Sequence, residues 1–534
     1  MDMQRIAPAT VAAVALVRAH PVAVAAVLAA AYVGWRAVYG VLLSPLRRVP
    51  GPLAARISAG PSLVECLTES TNDVMIRGGQ RYGSVFVMEP RKVALCDPED
   101  CRRVLGSYAF AKDRMYGNVG FMDANIFLTR DAGLNKERRA QIGPALSAGG
   151  LRRMEPAILR AGVQQLVAAW DRRIDAAPAG RATVNYHTDL SLMTFDIITS
   201  LGFGVAHRSL TTGDATMGKW TWATFVLMIM QMVLPAAKHA PLRWAADLVV
   251  GRHVRAFFDF ARRAIDDRRR LLPLLAADGS DKPADILQNF IDAEDPLHRR
   301  KMTPDQVVNE TVMVMLSGAD TSSTALTWAI HLLLLHPQHM AAVTAQVRAA
   351  FGPDALVTYD EARAQAPLLE ACILESLRLC PVSTNLPREV PRGGLTVQGH
   401  FIPAGYTVAV STAACNHNPR YWPDPARFDP ARFLPENNNR AYAANRHNLM
   451  TFSHGVRVCP GRQLVMVEMV TTLANILARY DLALPEGARF GPHNTDAAGR
   501  PVVMPRTNHV ATIPKHPKRD CNVVVTRRSP VAVC

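Results

Sequence analysis

Acidic residues are scarce in this chain: 45 Asp and Glu face 60 Lys and Arg, leaving a formal charge of +15. That balance favours acidic proteins or an anionic membrane surface as partners. Nucleic acid is not expected, because basic clusters such as Arg268–Arg270 and Arg299–Lys301 carry no interleaved aromatic platform and no nucleic-acid motif. They read as solvated helix faces. Cysteine is also sparse, nine in 534 residues and never as Cys-x-x-Cys, which excludes a disulfide framework or a zinc site as the organising device and fits a reducing compartment. Internal repeats, long Gly/Ser linkers and the glycine fingerprints of flavin or nicotinamide binding are absent as well. Any electrons the protein uses are therefore expected from a separate partner. What remains, 49% hydrophobic and 20% charged, is enough chain for one large core.

The N-terminal region departs from this pattern. Residues 21–43 hold a single charge, Arg36, and as a helix would span about 34 Å, slightly more than a bilayer core of about 30 Å. A single-pass membrane anchor is expected, with Tyr32, Trp35 and Tyr39 at an interface. Two alternatives stay open: a cleavable secretory signal with Ala9–Val17 as its core, and a buried soluble helix. Arg47, Arg48 and Arg56 after the segment, against Arg5 and Arg18 before it, place the main domain on the cytoplasmic side. The expected organisation is a lead (1–20), the anchor (21–43), a Pro/Gly/Arg connector (44–56), a catalytic domain (57–513) and a basic tail (514–534).

Periodicity predicts a mainly helical domain with small β patches. Strands are expected at Ser84–Met88, Lys92–Leu95, Gly394–Phe401 and Thr407–Ser411. Helices are expected at Gly150–Ile174, Asp189–Leu201, Trp220–Leu234 (buried or membrane-touching) and Arg462–Tyr480. The best-specified helix begins at Thr303-Pro304-Asp305-Gln306, where a capping hydroxyl, a first-turn proline and a Gln three residues after the cap coincide, and nothing stops it before Pro337. Midway it carries a polar island, Ser317-Gly318-Ala319-Asp320-Thr321, that a purely packing helix would not choose.

The most specific signal is Phe452-Ser453-His454-Gly455-Val456-Arg457-Val458-Cys459-Pro460-Gly461. A cysteine just before an apolar helix sits where backbone N–H groups and the dipole favour a thiolate, with Arg457 nearby, and the glycines let backbone approach a flat group closely. The segment resembles the signature of cytochromes P450, Phe-x-x-Gly-x-Arg-x-Cys-x-Gly, at all of its fixed positions: Phe452, Gly455, Arg457, Cys459 and Gly461. Three further segments resemble the family in order and distance. Glu375 and Arg378 match its Glu-x-x-Arg pair; Arg432 of Pro430-Ala431-Arg432-Phe433 would complete an ion-pair lock; and the island resembles the oxygen-activation motif, with Ser317 a departure at its first position.

The resemblance implies the cytochrome P450 fold, with haem b (iron protoporphyrin IX) held by Cys459 as axial ligand. It also implies propionate contacts from Arg457, Arg388 and Arg139, cofactor contacts from Phe452, Gly455, Gly461 and Gly318, and oxygen activation by Asp320 and Thr321. Asn135 stands where the family often has Trp or His, which puts one propionate contact in question. The implied reaction inserts one oxygen atom of O₂ into a small lipophilic substrate. Its electrons would come from NADPH through a cytochrome P450 reductase-type flavoprotein at the endoplasmic reticulum membrane. A haem-thiolate enzyme that rearranges a peroxide without a reductase is the alternative. Candidate pocket segments are Tyr108–Leu128, Leu201–Leu234, Val382–Leu386 and Gly491–Gly499.

Overall fold

The computed structural model describes residues 19–68, 70–205, 207–296, 299–435, 439–508 and 511–528. Most of the expected lead, including the candidate signal core Ala9–Val17, and residues 529–534 lie outside the described residues. Helix α1 (Pro21–Val38) and the wider turn that continues it to Leu43 are long and apolar enough to cross a membrane, and α1 buries none of its residues against the domain. This differs from a core helix, although Gly40 in the following turn is buried and Arg36 donates to Ile57 O.

The connector is more than a hinge. Leu46 and Val49 are buried in the core beneath the main sheet, Arg56 donates to the carbonyls of Leu46, Arg47 and Val49, and Val87 N–H donates to Pro50 O at 2.8 Å. A chain beginning at Ser44 is therefore expected to bind haem and shift to the soluble fraction. One beginning at Gly51 should lose about 1.5–3 kcal/mol for each of the two apolar side chains removed. Thermal melts of the two truncations check this, and equal stability would count against a structural connector.

The main sheet has the order β1 (Val85–Glu89), β2 (Lys92–Leu95), β7 (Thr407–Ser411), β4 (Asn385–Glu389), with β2 and β7 parallel and the other pairs antiparallel. The strand expected over Gly394–Phe401 is instead a hairpin, β5 (Leu395–Val397) and β6 (His400–Ile402). Gln398 and Gly399, both at positive φ, form the two-residue turn that matches strand twist.

A second sheet corrects the expected tail: β11 (Asn522–Arg527) lies between β3 (Arg181–Asn185) and β8 (Tyr480–Ala483), and β9 (Arg506–Asn508) pairs with β10 (Thr512–Pro514). The basic composition hid an alternation that buries Val523 and Val525, while Arg527 pairs with Asp171 and Asp175.

The helical body includes α2 (Pro98–Leu105), α3 (Ala132–Ile142), α4 (Tyr186–Phe203), α5 (Thr216–Val233), α6 (Arg252–Asp278), α7 (Pro304–Leu335), α8 (Pro367–Leu379) and α9 (Arg462–Arg479). The helix expected over Gly150–Ile174 is divided: Ala148–Ile158 and Gln164–Asp175 flank a π turn at Leu159–Val163. Pro156, inside the first piece, lacks an N–H and crowds the preceding turn, so the ladder widens beyond it. Helix α5 is neither wholly buried nor wholly exposed. Phe225, Met228 and Met232 enter the core, whereas Trp222, Ile229 and Val233 face out. The long helix α7 starts as its sequence predicts, with Thr303 and Gln306 forming a complete capping box, and runs 32 residues without a break through the polar island. At 1.5 Å per residue it is about 48 Å long and crosses the domain. It packs on α4, α8 and α9, so the island and the helix after Cys459 belong to one packed unit.

Candidate active site

Residues 452–461 form a closed loop ahead of α9, in which Cys459 N–H donates to Phe452 O at 2.9 Å. Ser453 and Gly455 both have positive φ. A Cβ on Gly455 would lie 2.5 Å from Gly106 Cα and Leu105 O, so contact with the end of α2 requires a glycine here. Gly461 has negative φ, and a Cβ there would meet only Cys459 Sγ, at 3.9 Å, among its near neighbours. Half-buried Phe452 lies beneath the Arg462 guanidinium, 5.8 Å from its ring centre. Burial pushes the Cys459 thiol up, while the N–H groups of Gly461 and Arg462 and the charge of Arg139 pull it down. The helix start thus favours the thiolate, as its sequence suggests, but desolvation wins in the protein alone.

The expected lock forms. Arg378 grips Glu375 with two bonds of 2.8 Å, both side chains are 0% exposed, and Arg432 Nε lies 3.4 Å from Glu375. Arg378 also donates to the carbonyls of Asn416, Pro425 and Arg427 and stacks over Trp422, and Asp429 N–H donates to Glu375. Asn416 and Thr451, which motif reading passed over, link this lock to the cysteine loop. Asn416 accepts from Met450 N–H and donates to the Thr451 hydroxyl, and Thr451 donates to Leu377 O at 2.7 Å.

On α7, Thr321 donates to Ser317 O at 2.5 Å and Ser317 to Met313 O at 2.8 Å. Ser317 is exposed and Thr321 half-buried, although Leu316, Ala319 and Ser322 around them are buried. One polar face thus opens along a helix that is otherwise core. Burial raises Asp320 to about 6, close enough to neutrality for proton exchange. At Gly318 a Cβ would stand 2.9 Å from Ile198 Cδ1, so the missing side chain also lets α7 and α4 approach. Two buried carboxyls escaped the motif search. Glu468 on α9 faces Ser322 and is pushed up to about 8 by burial; Glu310 on α7 accepts from Ile126 N–H at 3.0 Å, lies 3.4 Å from Arg138 and is pushed up to about 7. Each interrupts an apolar helical pattern with a single acid, which was the available signal.

The three arginines implied as propionate partners fall in one region. Arg139 donates to Val458 O in the cysteine loop at 2.7 Å, Arg457 donates to Thr129 O and Arg130 O, and Arg388 on β4 donates to Pro387 O. Asn135 has a part here as well, since its side-chain oxygen accepts from both Arg139 and the Tyr108 hydroxyl. Burial lowers the pKa of all three arginines, and none forms an ion pair among the described residues. Arg457 Nε is buried without a hydrogen-bond partner. Two buried arginines, Arg388 and Arg457, and the half-buried Arg139, with no ion pair among the described residues, fit a haem, whose two carboxylates would satisfy them. Of the candidate pocket segments, residues 492–499 are mostly exposed, where Asp496 and Arg500 pair at the surface.

The family model described as "Cytochrome P450" matches residues 62–510. The chain is 39% identical over 522 residues to cytochrome P450 monooxygenase helB1 of Aspergillus fumigatus, covering 95% of this chain and 87% of that protein. It is 37% identical to helB3 of the same species, covering 92% and 95%, and 27% identical to poxM of Penicillium oxalicum, covering 88% and 91%. The heme domain of cytochrome P450DA superposes with a TM-score of 0.71 at 19% identity, over 88% of this chain and 95% of that one, a likeness of fold.

Proposed function

This chain belongs to the cytochrome P450 family and is a P450 monooxygenase, and we propose that it inserts one oxygen atom of O₂ into a small lipophilic organic substrate, with electrons from a separate NADPH-dependent flavoprotein. Haem b held at this site supplies the redox centre at which O₂ is activated. Cys459 would hold the iron through its sulfur, steadied by the N–H groups of Gly461 and Arg462. Arg457, Arg388 and Arg139 bind the propionates. Asp320, raised to about 6 by burial, would take protons from water and pass them on, and the Thr321 hydroxyl would hold the water that receives them. Its hydroxyl proton is committed to Ser317 O, so its lone pairs are free to accept. Exposed Arg462 beside the cysteine loop suits an acidic reductase, and α1 holds the domain at the membrane.

The observation that carries this reading is a closed loop presenting Cys459 near three arginines with no ion pair among the described residues, ahead of a helix packed on α7. The test is turnover with NADPH, an added fungal reductase, lipophilic compounds and ¹⁸O₂. A product carrying one labelled oxygen, formed only when reductase and NADPH are present, is expected. Oxygenation that proceeds unchanged without reductase would overturn it.

A further inference from the structure

Glu310 is a buried acid that neither the cysteine loop nor the polar island accounts for. It is 1% exposed in the first half of α7, where Val307, Val308, Thr311 and Val312 around it are all buried. Burying a carboxyl costs free energy, and apolar side chains in place of a buried ion pair are often as stable or more so. Its contacts show what an apolar side chain there would not supply. The two oxygens accept from Ile126 N–H at 3.0 and 3.2 Å, and Arg138 Nε on α3 lies 3.4 Å away. Asn309, the residue before it, accepts from Asp123 N–H at 3.2 Å and donates back to the Asp123 carboxylate. Helix α7 thus grips the segment Met122–Leu128 at two of its peptide groups.

Position on the helix decides what that segment does. Residues 310, 314, 317 and 321 are spaced by four, three and four, so they share one face of α7. Glu310 is buried at one end of this face, Val314 and Thr321 are half-buried, and Ser317 is exposed. The opening along α7 therefore begins at Val314, about 6 Å beyond Glu310. Beside Glu310, Ile126 and Phe127 are half-buried although Asn125 and Leu128 on either side are buried. The chain then runs on through Thr129 and Arg130, whose carbonyls accept from Arg457 of the cysteine loop. The segment bridges the cysteine loop and α7, with Ile126 and Phe127 as a wall at the Glu310 end of the opening.

We propose that Glu310 is a positioning residue that, by holding the Ile126 peptide, fixes this wall and so limits the bulk of the molecules that reach Ser317 and Thr321. The Ile126 carbonyl is already engaged, accepting from Lys112 and Asn135 at 3.3 Å each, and the N–H is left for the acid on α7. An ionised acceptor makes that bond about twice as strong as a neutral one. The proposal rests on the haem monooxygenase reading of the site.

The test uses haem-loaded, dithionite-reduced protein and two neutral iron ligands of different bulk, methyl isocyanide and tert-butyl isocyanide, whose association rates are read by absorbance. Glu310→Ala leaves Ile126 N–H without an acceptor and should raise the tert-butyl rate about tenfold, with the methyl rate within about twofold of wild type. Glu310→Gln keeps an oxygen for that N–H and should return the ratio of the two rates to within about threefold of wild type. Amides of residues 123–128 should exchange faster in Glu310→Ala and not in Glu310→Gln. Glu310→Ala also strands Arg138, which is 1% exposed. If it does not accumulate, Glu310→Leu combined with Arg138→Met removes both buried charges, leaves Glu137 with Arg300, and still gives Ile126 no acceptor. The same tenfold change is expected there. A purely structural acid would alter yield and leave the ratio of rates alone. An unchanged ratio in Glu310→Ala or in the double variant overturns the role of Glu310, as does a Glu310→Gln protein that behaves like Glu310→Ala. Absence of the thiolate-type Soret band of the wild-type carbon monoxide complex would instead overturn the haem reading beneath it.

Discussion

Glu375→Ala is expected to abolish accumulation of haem-loaded protein. The substitution removes the acid that Arg378 grips with two bonds of 2.8 Å and leaves a guanidinium at 0% exposure with only carbonyls and the Trp422 ring around it. Breaking one side of a buried pair costs about 3–5 kcal/mol, against a total stability of about 5–15 kcal/mol. The loss reaches the cysteine loop, because Arg378 holds Asn416 O and Asn416 holds both Met450 and Thr451. Arg378→Lys should fail nearly as badly, since an ammonium has no planar fork to serve Glu375 and three carbonyls together. Soluble yield and haem per chain measure both variants. A Glu375→Ala protein with normal yield and full haem would remove the lock from the account.

Thr321→Ala is expected to separate electron consumption from product. The variant keeps Cys459, the lock and the cationic cluster, so haem binding and NADPH oxidation should persist. It loses the hydroxyl that donates to Ser317 O and that, as proposed, holds a proton-carrying water beside an Asp320 raised to about 6. General acid catalysis of this kind contributes about 10²–10⁴ in rate, so product per NADPH should fall by about tenfold or more, with hydrogen peroxide released instead. Asp320→Asn should slow turnover more than it uncouples it. An unchanged ratio of product to NADPH in Thr321→Ala would make the island structural and favour the reductase-independent, peroxide-rearranging alternative.

The parts legible in the sequence were those whose chemistry is local. The cap of α7 needs only Thr303, Pro304 and Gln306, and the lock pair is one helical turn of α8. What escaped depends on contacts between distant segments. The close approach of α7 to α4 at Gly318 is set by Ile198, 120 positions earlier. Gly455 answers to the backbone of Leu105 and Gly106. Strand β11 hid in a basic tail because its pairing partners lie near residues 183 and 482.

The central claim is that Cys459 binds the iron of a haem through its sulfur. Its most direct test is the absorbance of the purified, dithionite-reduced protein under carbon monoxide. The account predicts a Soret band far to the red of that of a histidine-ligated haem, lost in Cys459→Ser while the chain still folds. A histidine-type band in the intact wild-type protein, or a red-shifted band that survives Cys459→Ser, would contradict it.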